Sequence, residues 1–275
     1  MLIIRKKKIL RSYLDKHRVK NQIAFIPTMG SIHKGHLSLL KNSKKKKCIS
    51  CVSIFINPAQ FNNKKDFELY PKNEKKDLEL LKKNGCDIVF LPDAKEIYPN
   101  GIKIKRRVKK YRNILCDKFR PNHFDGVVEV VRRLFKLVEP NVVFFGEKDY
   151  QQLKIIKELV RIEKKQIKII SCRSVRDNNK MSLSSRYKLF NKKQKNIFQK
   201  ISEIVLKVVG KIKNGNEIGS VLSKLINDLN KKGIYKIEYI EVRKSNSLKL
   251  SKTFSNSRLF IALHLGDIRI IDNFK

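Results

Sequence analysis

Tryptophan is absent from this chain of 275 residues, and cysteine (5), methionine (3), proline (7) and glycine (11) are all sparse. Five cysteines, an odd number at this length, give no disulfide framework. Cys48 and Cys51 make a C-x-x-C, but it lies inside an apparent strand from Cys48 to Ile56. A spacing of three on a period-two strand sends the thiols to opposite faces, so core packing is favoured over a redox pair or half a zinc site. No hydrophobic run approaches membrane-spanning length. The apolar Leu2-Ile3-Ile4 is too short for a signal peptide and precedes the charges instead of following them. A cytoplasmic chain without a membrane partner is the expectation. There is no G-x-x-x-x-G-K-[ST] loop, which excludes a P-loop, and no Ser/His/Asp or Cys/His arrangement that suggests covalent catalysis.

Acidic residues are the other scarcity, 25 against 64 basic ones, for a formal charge of +39. Such an excess invites a nucleic-acid reading. The excess is mostly lysine, spread along the whole chain and accompanied by abundant Asn and Ile, three residues that share A/T-rich codons. Arg clusters, or aromatics interleaved with basic residues, would be expected of a dedicated reader. Base bias therefore explains the charge, and no specific nucleic-acid partner is expected.

What the chain does have is order. Apolar, β-branched runs at 23–27, 48–56, 87–91, 142–145 and 167–171 alternate with helical patterns near 35–46, 74–84, 124–138 and 149–163. This predicts an α/β fold, a Rossmann-like parallel sheet with helices on both faces. After residue 175 the character changes. Lysine-rich helical stretches near 192–213 and 217–232 precede β-like runs at 235–243, 258–264 and 267–272, a smaller α+β domain expected to be antiparallel. The division predicted is 1–175 and 176–275.

In open parallel sheets, ligands gather outside the carboxyl ends of strands, and four polar clusters sit there. The first is the turn from Met29 to His36. Two of only five histidines, His33 and His36, fall three apart at a helix start and can face one phosphate chain, with Gly35 keeping the wall low. Unpaired N–H groups at that helix end are a seat for phosphate. Two satisfied or solvent-facing histidines on an ordinary helix are the plainer account. The second cluster is Asn57-Pro58-Ala59-Gln60, whose amides suit a hydroxy acid or simply cap a turn. The third is Gly146-Glu147-Lys148-Asp149, with a lysine for phosphate and an aspartate for ribose hydroxyls, ahead of Gln151 and Gln152. A surface Lys-Asp pair competes with it. The fourth is Lys180-Met181-Ser182-Leu183-Ser184-Ser185-Arg186, hydroxyls and a guanidinium that together grip phosphate and could close over the site, or an ordinary Ser-rich loop. Arg120 and His123 are assigned to helix capping and an interface, and His17 and His264 to structure.

In order and spacing these motifs resemble the pantothenate synthetase family. Pro27-Thr28-Met29-Gly30 with His33-x-Gly35-His36, Asn57-Pro58-x-Gln60-Phe61, Arg120-Pro121-x-His123-Phe124, Phe145-Gly146-x-Lys148-Asp149-x-Gln151-Gln152 and Ser184-Ser185-Arg186 span nearly the whole chain. The wider group is the nucleotidyltransferase superfamily with the "HIGH" signature. The resemblance implies ATP-dependent ligation of pantoate with β-alanine through a pantoyl-adenylate, with Mg²⁺, in a homodimer. It implies that Met29, Gly30, Ser31, Ile32, His33, Lys34, Gly35 and His36 line the ATP site. Gly146, Glu147, Lys148, Asp149, Val175, Leu183, Ser184, Ser185 and Arg186 would add to it. Catalysis would fall to His36, His33, Lys148 and Arg186. Gln60 and Gln152 would hold pantoate, and Gln60 also β-alanine.

Six residues at three places depart from the family pattern. Asn179, Lys180, Met181 and Ser182 stand where Asp-Gly-Leu-Ala is usual, Asn122 replaces a glycine, and Tyr187 an asparagine. Loss of the loop glycine is expected to stiffen that loop. Two other readings remain: a different nucleotidyltransferase of the same signature, and a non-catalytic basic module binding nucleic acid.

Overall fold

The computed structural model describes residues 1–105, 107–230 and 236–275. They form two compact units, Met1–Arg112 with Arg120–Ser174, and Asn113–Phe119 with Val175–Lys275. A single cut at 175/176 does not describe this division, because the short stretch Asn113–Phe119 groups with the later residues.

In the first unit β1 (Leu2–Ile4) and α1 (Lys7–Arg18) lead into β2 (Ile23–Thr28), α2 (Lys34–Lys44), β3 (Ile49–Ile54), α3 (Lys64–Glu68), α4 (Glu74–Lys83), β4 (Ile88–Phe90) and α5 (Ala94–Ile97). After α6 (Leu115–Phe119), which belongs to the second unit, come α7 (His123–Val138), β5 (Val142–Gly146), α8 (Tyr150–Ile162) and β6 (Lys168–Cys172). The six strands lie in the order β1-β4-β3-β2-β5-β6, every neighbouring pair parallel. This is the expected parallel α/β architecture. The central strands are buried on both faces, which is why their sequences are continuous apolar runs without alternation.

The sequence did not announce β1 or α1. β1 is three residues on the sheet edge, paired only with β4, and the N-cap of α1, Lys6, makes no side-chain cap, so the helix's start signal is missing. Leu10 and Leu14 nonetheless bury its inner face completely.

The second unit stacks α9 (Lys192–Lys213) and α10 (Ile218–Asn230) on the antiparallel sheet β7 (Lys236–Lys244), β8 (Ser257–Leu265) and β9 (Ile268–Phe274). Phe198, Ile201 and Val205 of α9 meet Leu259, Ile261 and Leu263 of β8 in its core. Asn191 and Gln194 close a reciprocal capping box at the start of α9. The ends of the predicted helix (231–232) and of the predicted strand (residue 235) lie outside the described residues. Among the described residues no helix is long and apolar enough to cross a membrane.

Candidate active site

The order β4-β3-β2-β5-β6 turns back at β2, whose successor lies on one side and β5 on the other. At such a switch point the loops leaving the two central strands part and open a crevice at their carboxyl ends. The turn after β2 carries Met29 to His33, and the turn after β5 carries Gly146 to Asp149. The first and third predicted clusters thus flank one topological position. Asn57 to Gln60 follow the neighbouring strand β3.

The turn after β2 is more tightly specified than its sequence suggested. Gly30 and Ser31 both take left-handed backbone (φ +80 and +51). A side chain at Gly30 would press on Asp77 and Ile54, each 3.0 Å from its first carbon. The Ser31 and Ile32 N–H groups each donate to the buried Asp77 carboxylate at 2.7 Å, and the Gly30 N–H donates to Thr28 Oγ1 at 3.2 Å. These N–H groups lie ahead of the helix start, whose first residue is Lys34. This turn already holds an anion, the side chain of Asp77 from α4.

His33 is the N-cap of α2 instead of lying on its face. Its Nδ1 accepts the Gly35 N–H at 3.1 Å, which leaves the ring proton on Nε2 as a neutral donor. His36 packs against it, ring centroids 4.1 Å apart and the planes tilted by 32°. A first side-chain carbon at Gly35 would come within 2.7 Å of the His33 ring. Gly35 thus makes room for the His33 imidazole. Lys34 is exposed.

Asn57 is also reassigned. It is 1% exposed and works inside the protein. Its Oδ1 accepts from Tyr98 OH at 2.7 Å and from the Ala59 N–H at 3.2 Å, while Nδ2 donates to Gln60 Oε1 at 3.2 Å and to the Gly126 carbonyl at 3.0 Å. Gln60 in turn donates to Met29 Sδ. Burial pushes the Tyr98 hydroxyl well above its ordinary range, so it stays a donor. The Gln60 carbonyl accepts from His123 Nδ1 at 2.7 Å and from Arg120 at 3.3 Å, and Arg120 Nη1 sits 3.2 Å from His123 Nε2. A carbonyl only accepts and a guanidinium only donates, so His123 is neutral with its proton on Nδ1. Arg120 and His123 therefore brace Gln60 from the start of α7. Asn122, standing for a glycine, does take left-handed backbone (φ +62).

Gly146 has ordinary extended backbone, and a side-chain carbon there would meet nothing within 4 Å. Glu147, Lys148 and Asp149 form a single 3-10 turn, with Lys148 Nζ 3.7 Å from Asp149 Oδ1. Of the two glutamines that follow, Gln151 is buried and donates to the Tyr111 carbonyl at 2.9 Å, whereas Gln152 is half-buried. Val175, Leu183, Ser184, Ser185 and Arg186 lie in the second unit. There the Leu183 N–H donates to the Val175 carbonyl at 3.0 Å, and Ser184 Oγ caps the Arg186 N–H at 3.3 Å. Ser185 is buried and Arg186 half-buried. Among the described residues no group of three or more His, Cys, Asp or Glu stands together as a metal site. All five cysteines are free and buried, as core packing requires.

Sequence reasoning missed Asp77, Tyr98 and Gly126. Asp77 reads as one more charged residue on an amphipathic helix, and only its burial at 2% exposure marks it.

The pantoate-beta-alanine ligase family model matches residues 2–275. The chain belongs to the pantoate–β-alanine ligase family. It is 38% identical over 260 residues to a pantothenate synthetase of Vesicomyosocius okutanii, covering 94% of this chain and 91% of the relative. A pantothenate synthetase of Aquifex aeolicus is 35% identical over 277 residues, covering 100% and 98%. Among solved structures, a pantothenate synthetase of Thermus thermophilus superposes with a TM-score of 0.93 at 28% identity, covering 100% of this chain and 99% of that one. The pantoate-beta-alanine ligase of Francisella tularensis, complexed with beta-gamma ATP and beta-alanine, gives 0.86 at 36% identity, covering 100% and 97%. Family membership makes this chain an enzyme, a ligase that joins pantoate to β-alanine. It sets aside the non-catalytic basic module and a nucleotidyltransferase of other specificity.

Proposed function

We propose that the chain drives this ligation with ATP in two steps at the crevice between β2 and β5. In the first, a pantoate carboxylate oxygen attacks the α-phosphorus of ATP and pyrophosphate leaves, giving a pantoyl-adenylate. In the second, the neutral β-alanine amine attacks the acyl carbon and AMP leaves. The observation that carries this reading is the adjacent His33–His36 pair at one side of the switch point with the Lys148 turn at the other. Charge grows on the departing phosphate oxygens, and fixed donors there are worth about 10²–10³ each in rate. His33 Nε2–H, the His36 imidazole and the Lys148 ammonium are such donors, with Met29 to Gly35 and Gly146 to Asp149 lining the nucleotide. Residues Val175 and Leu183 to Arg186 are proposed as further nucleotide contacts on the second unit. Gln60 and Gln152 are assigned to pantoate, and Gln60 also to the incoming amine. The second step needs no enzyme nucleophile, since the adenylate is already activated and positioning does the work. The ATP complex of the Francisella tularensis relative supports the choice of nucleotide.

No side-chain cluster fits a resident Mg²⁺ among the described residues. The ion is proposed to travel on the phosphates as part of the substrate, the usual habit of Mg²⁺, and no step here is derived from it. A homodimer and a cytoplasmic setting, implied by the resemblance, complete the proposal.

The test is pantoate-dependent exchange of pyrophosphate into ATP. His36→Ala should abolish it in a protein that melts as the parent does, and Gln152→Ala should chiefly raise the KM for pantoate. Near-normal exchange in folded His36→Ala would refute the assignment.

A further inference from the structure

We propose that Asp272, on β9, is a positioning residue for the Ser184–Arg186 loop, held in partnership with Arg176. The inference rests on the reading of Ser184, Ser185 and Arg186 as nucleotide contacts.

Asp272 is 2% exposed, and all three of its acceptor bonds point at backbone or at one arginine. Its Oδ2 accepts the Ser182 N–H at 2.8 Å and Arg176 Nη1 at 3.0 Å, and its Oδ1 accepts the Asn273 N–H at 2.7 Å. Arg176 uses the same Nη1 on the Lys180 carbonyl at 2.8 Å, gives Nη2 to the Asn273 carbonyl at 2.7 Å, and lies over the Phe274 ring at 4.5 Å. One carboxylate and one guanidinium thus tie the strand end 272–274 to both arms of the hairpin 176–182. The hairpin closes on itself as well. Arg176 and Ser182 pair as an antiparallel bridge, the Asp177 N–H donates to the Met181 carbonyl at 2.9 Å, and Asp177 Oδ1 accepts the Met181 N–H at 3.0 Å. Met181 is fully buried in the core of the second unit. Lys180, at the tip, takes left-handed backbone (φ +60), the conformation a glycine adopts without strain.

The loop is therefore fixed at its root, two residues before Ser184. A two-pronged charged anchor is geometrically specific. What it fixes is where the Ser184 hydroxyl and the Arg186 guanidinium start from, and a displacement of about 1 Å can cost roughly 10²-fold in rate.

Four proteins test this with steady-state kinetics in ATP and in pantoate: the parent, Asp272→Ala, Arg186→Ala and the double variant. Asp272→Asn, which keeps the shape and one acceptor, replaces Asp272→Ala if the latter does not fold. Asp272→Ala should raise the KM for ATP roughly tenfold and leave the KM for pantoate unchanged, with Asp272→Asn in between. In the Arg186→Ala background the same substitution should cost less than about twofold, because the group it positions is gone. A folded Asp272→Ala with unchanged ATP kinetics overturns the proposal, and so does a penalty of equal size in both backgrounds. If Arg186→Ala alone is silent, the nucleotide reading of the loop falls, and this inference with it.

Discussion

The Asp77 carboxylate lies 2.7 Å from the Ser31 backbone nitrogen, and through its second oxygen the same distance from that of Ile32. A helix more than forty positions further along the chain thereby shapes the turn that presents His33 and His36.

That relationship sets the first prediction. Asp77→Ala leaves two buried N–H groups without an acceptor, at about 1–3 kcal/mol each. A loss of about 2–6 kcal/mol in denaturant unfolding is expected. In whatever fraction stays folded, pyrophosphate exchange should drop more than thermal stability alone explains. An unaltered unfolding midpoint would show that the turn holds itself.

A second prediction concerns Gly126, inside α7. Replacing a helical glycine with alanine ordinarily stabilises by about 1 kcal/mol. Here the new carbon would sit 2.1 Å from the Ala59 carbonyl oxygen and 2.5 Å from its carbon. Backbone cannot yield as a side chain does, so Gly126→Ala should destabilise by about 1–3 kcal/mol. Because Ala59 adjoins Gln60, it should also raise the KM for pantoate. Thermal melts and pantoate titrations check both parts, and a stabilised variant would contradict the packing.

The third prediction is a pH dependence. Burial alone would raise the Glu238 carboxyl, but hydrogen bonds from His264 (2.7 Å) and Arg269 (2.6 Å) outweigh it and hold the group down at about 2, against an ordinary value of 4.5. A depressed carboxyl contributes stability that is complete above about 4.5 and is lost as pH falls toward 2. Glu238→Gln should lower stability at neutral pH by about 3 kcal/mol, since Arg269 loses its partner. It should also flatten the acid limb between pH 4.5 and 2. Denaturation series from pH 2 to 7 measure this, and parallel curves for parent and variant would count against the ion pair.

Local chemistry was enough to reveal the parallel sheet, because each buried strand carries its own apolar run and each long helix its own period. The stretches Ile23 to Pro27, Val142 to Phe145 and Lys192 to Lys213 needed no partner to be read. α1 and β1 were hidden, since one lacks a cap and the other is three edge residues whose strand identity comes from pairing with β4.

The motifs around His33, Gln60 and Lys148 were likewise legible, being short runs of unusual residues behind strands. What each polar group faces was not. Asn57 and Gln60 look alike as amides three apart, yet Asn57 is spent on Tyr98 and Gly126, residues 41 and 69 positions away. Arg120 and His123 read as a helix start, as they are, but only the fold carries them to the Gln60 carbonyl. The chain alone determined its central strands and long helices, their order and the family to which it belongs. Only tertiary structure decided which donors are already satisfied, because a hydrogen-bond partner is a matter of distance in space, and sequence separation does not encode it.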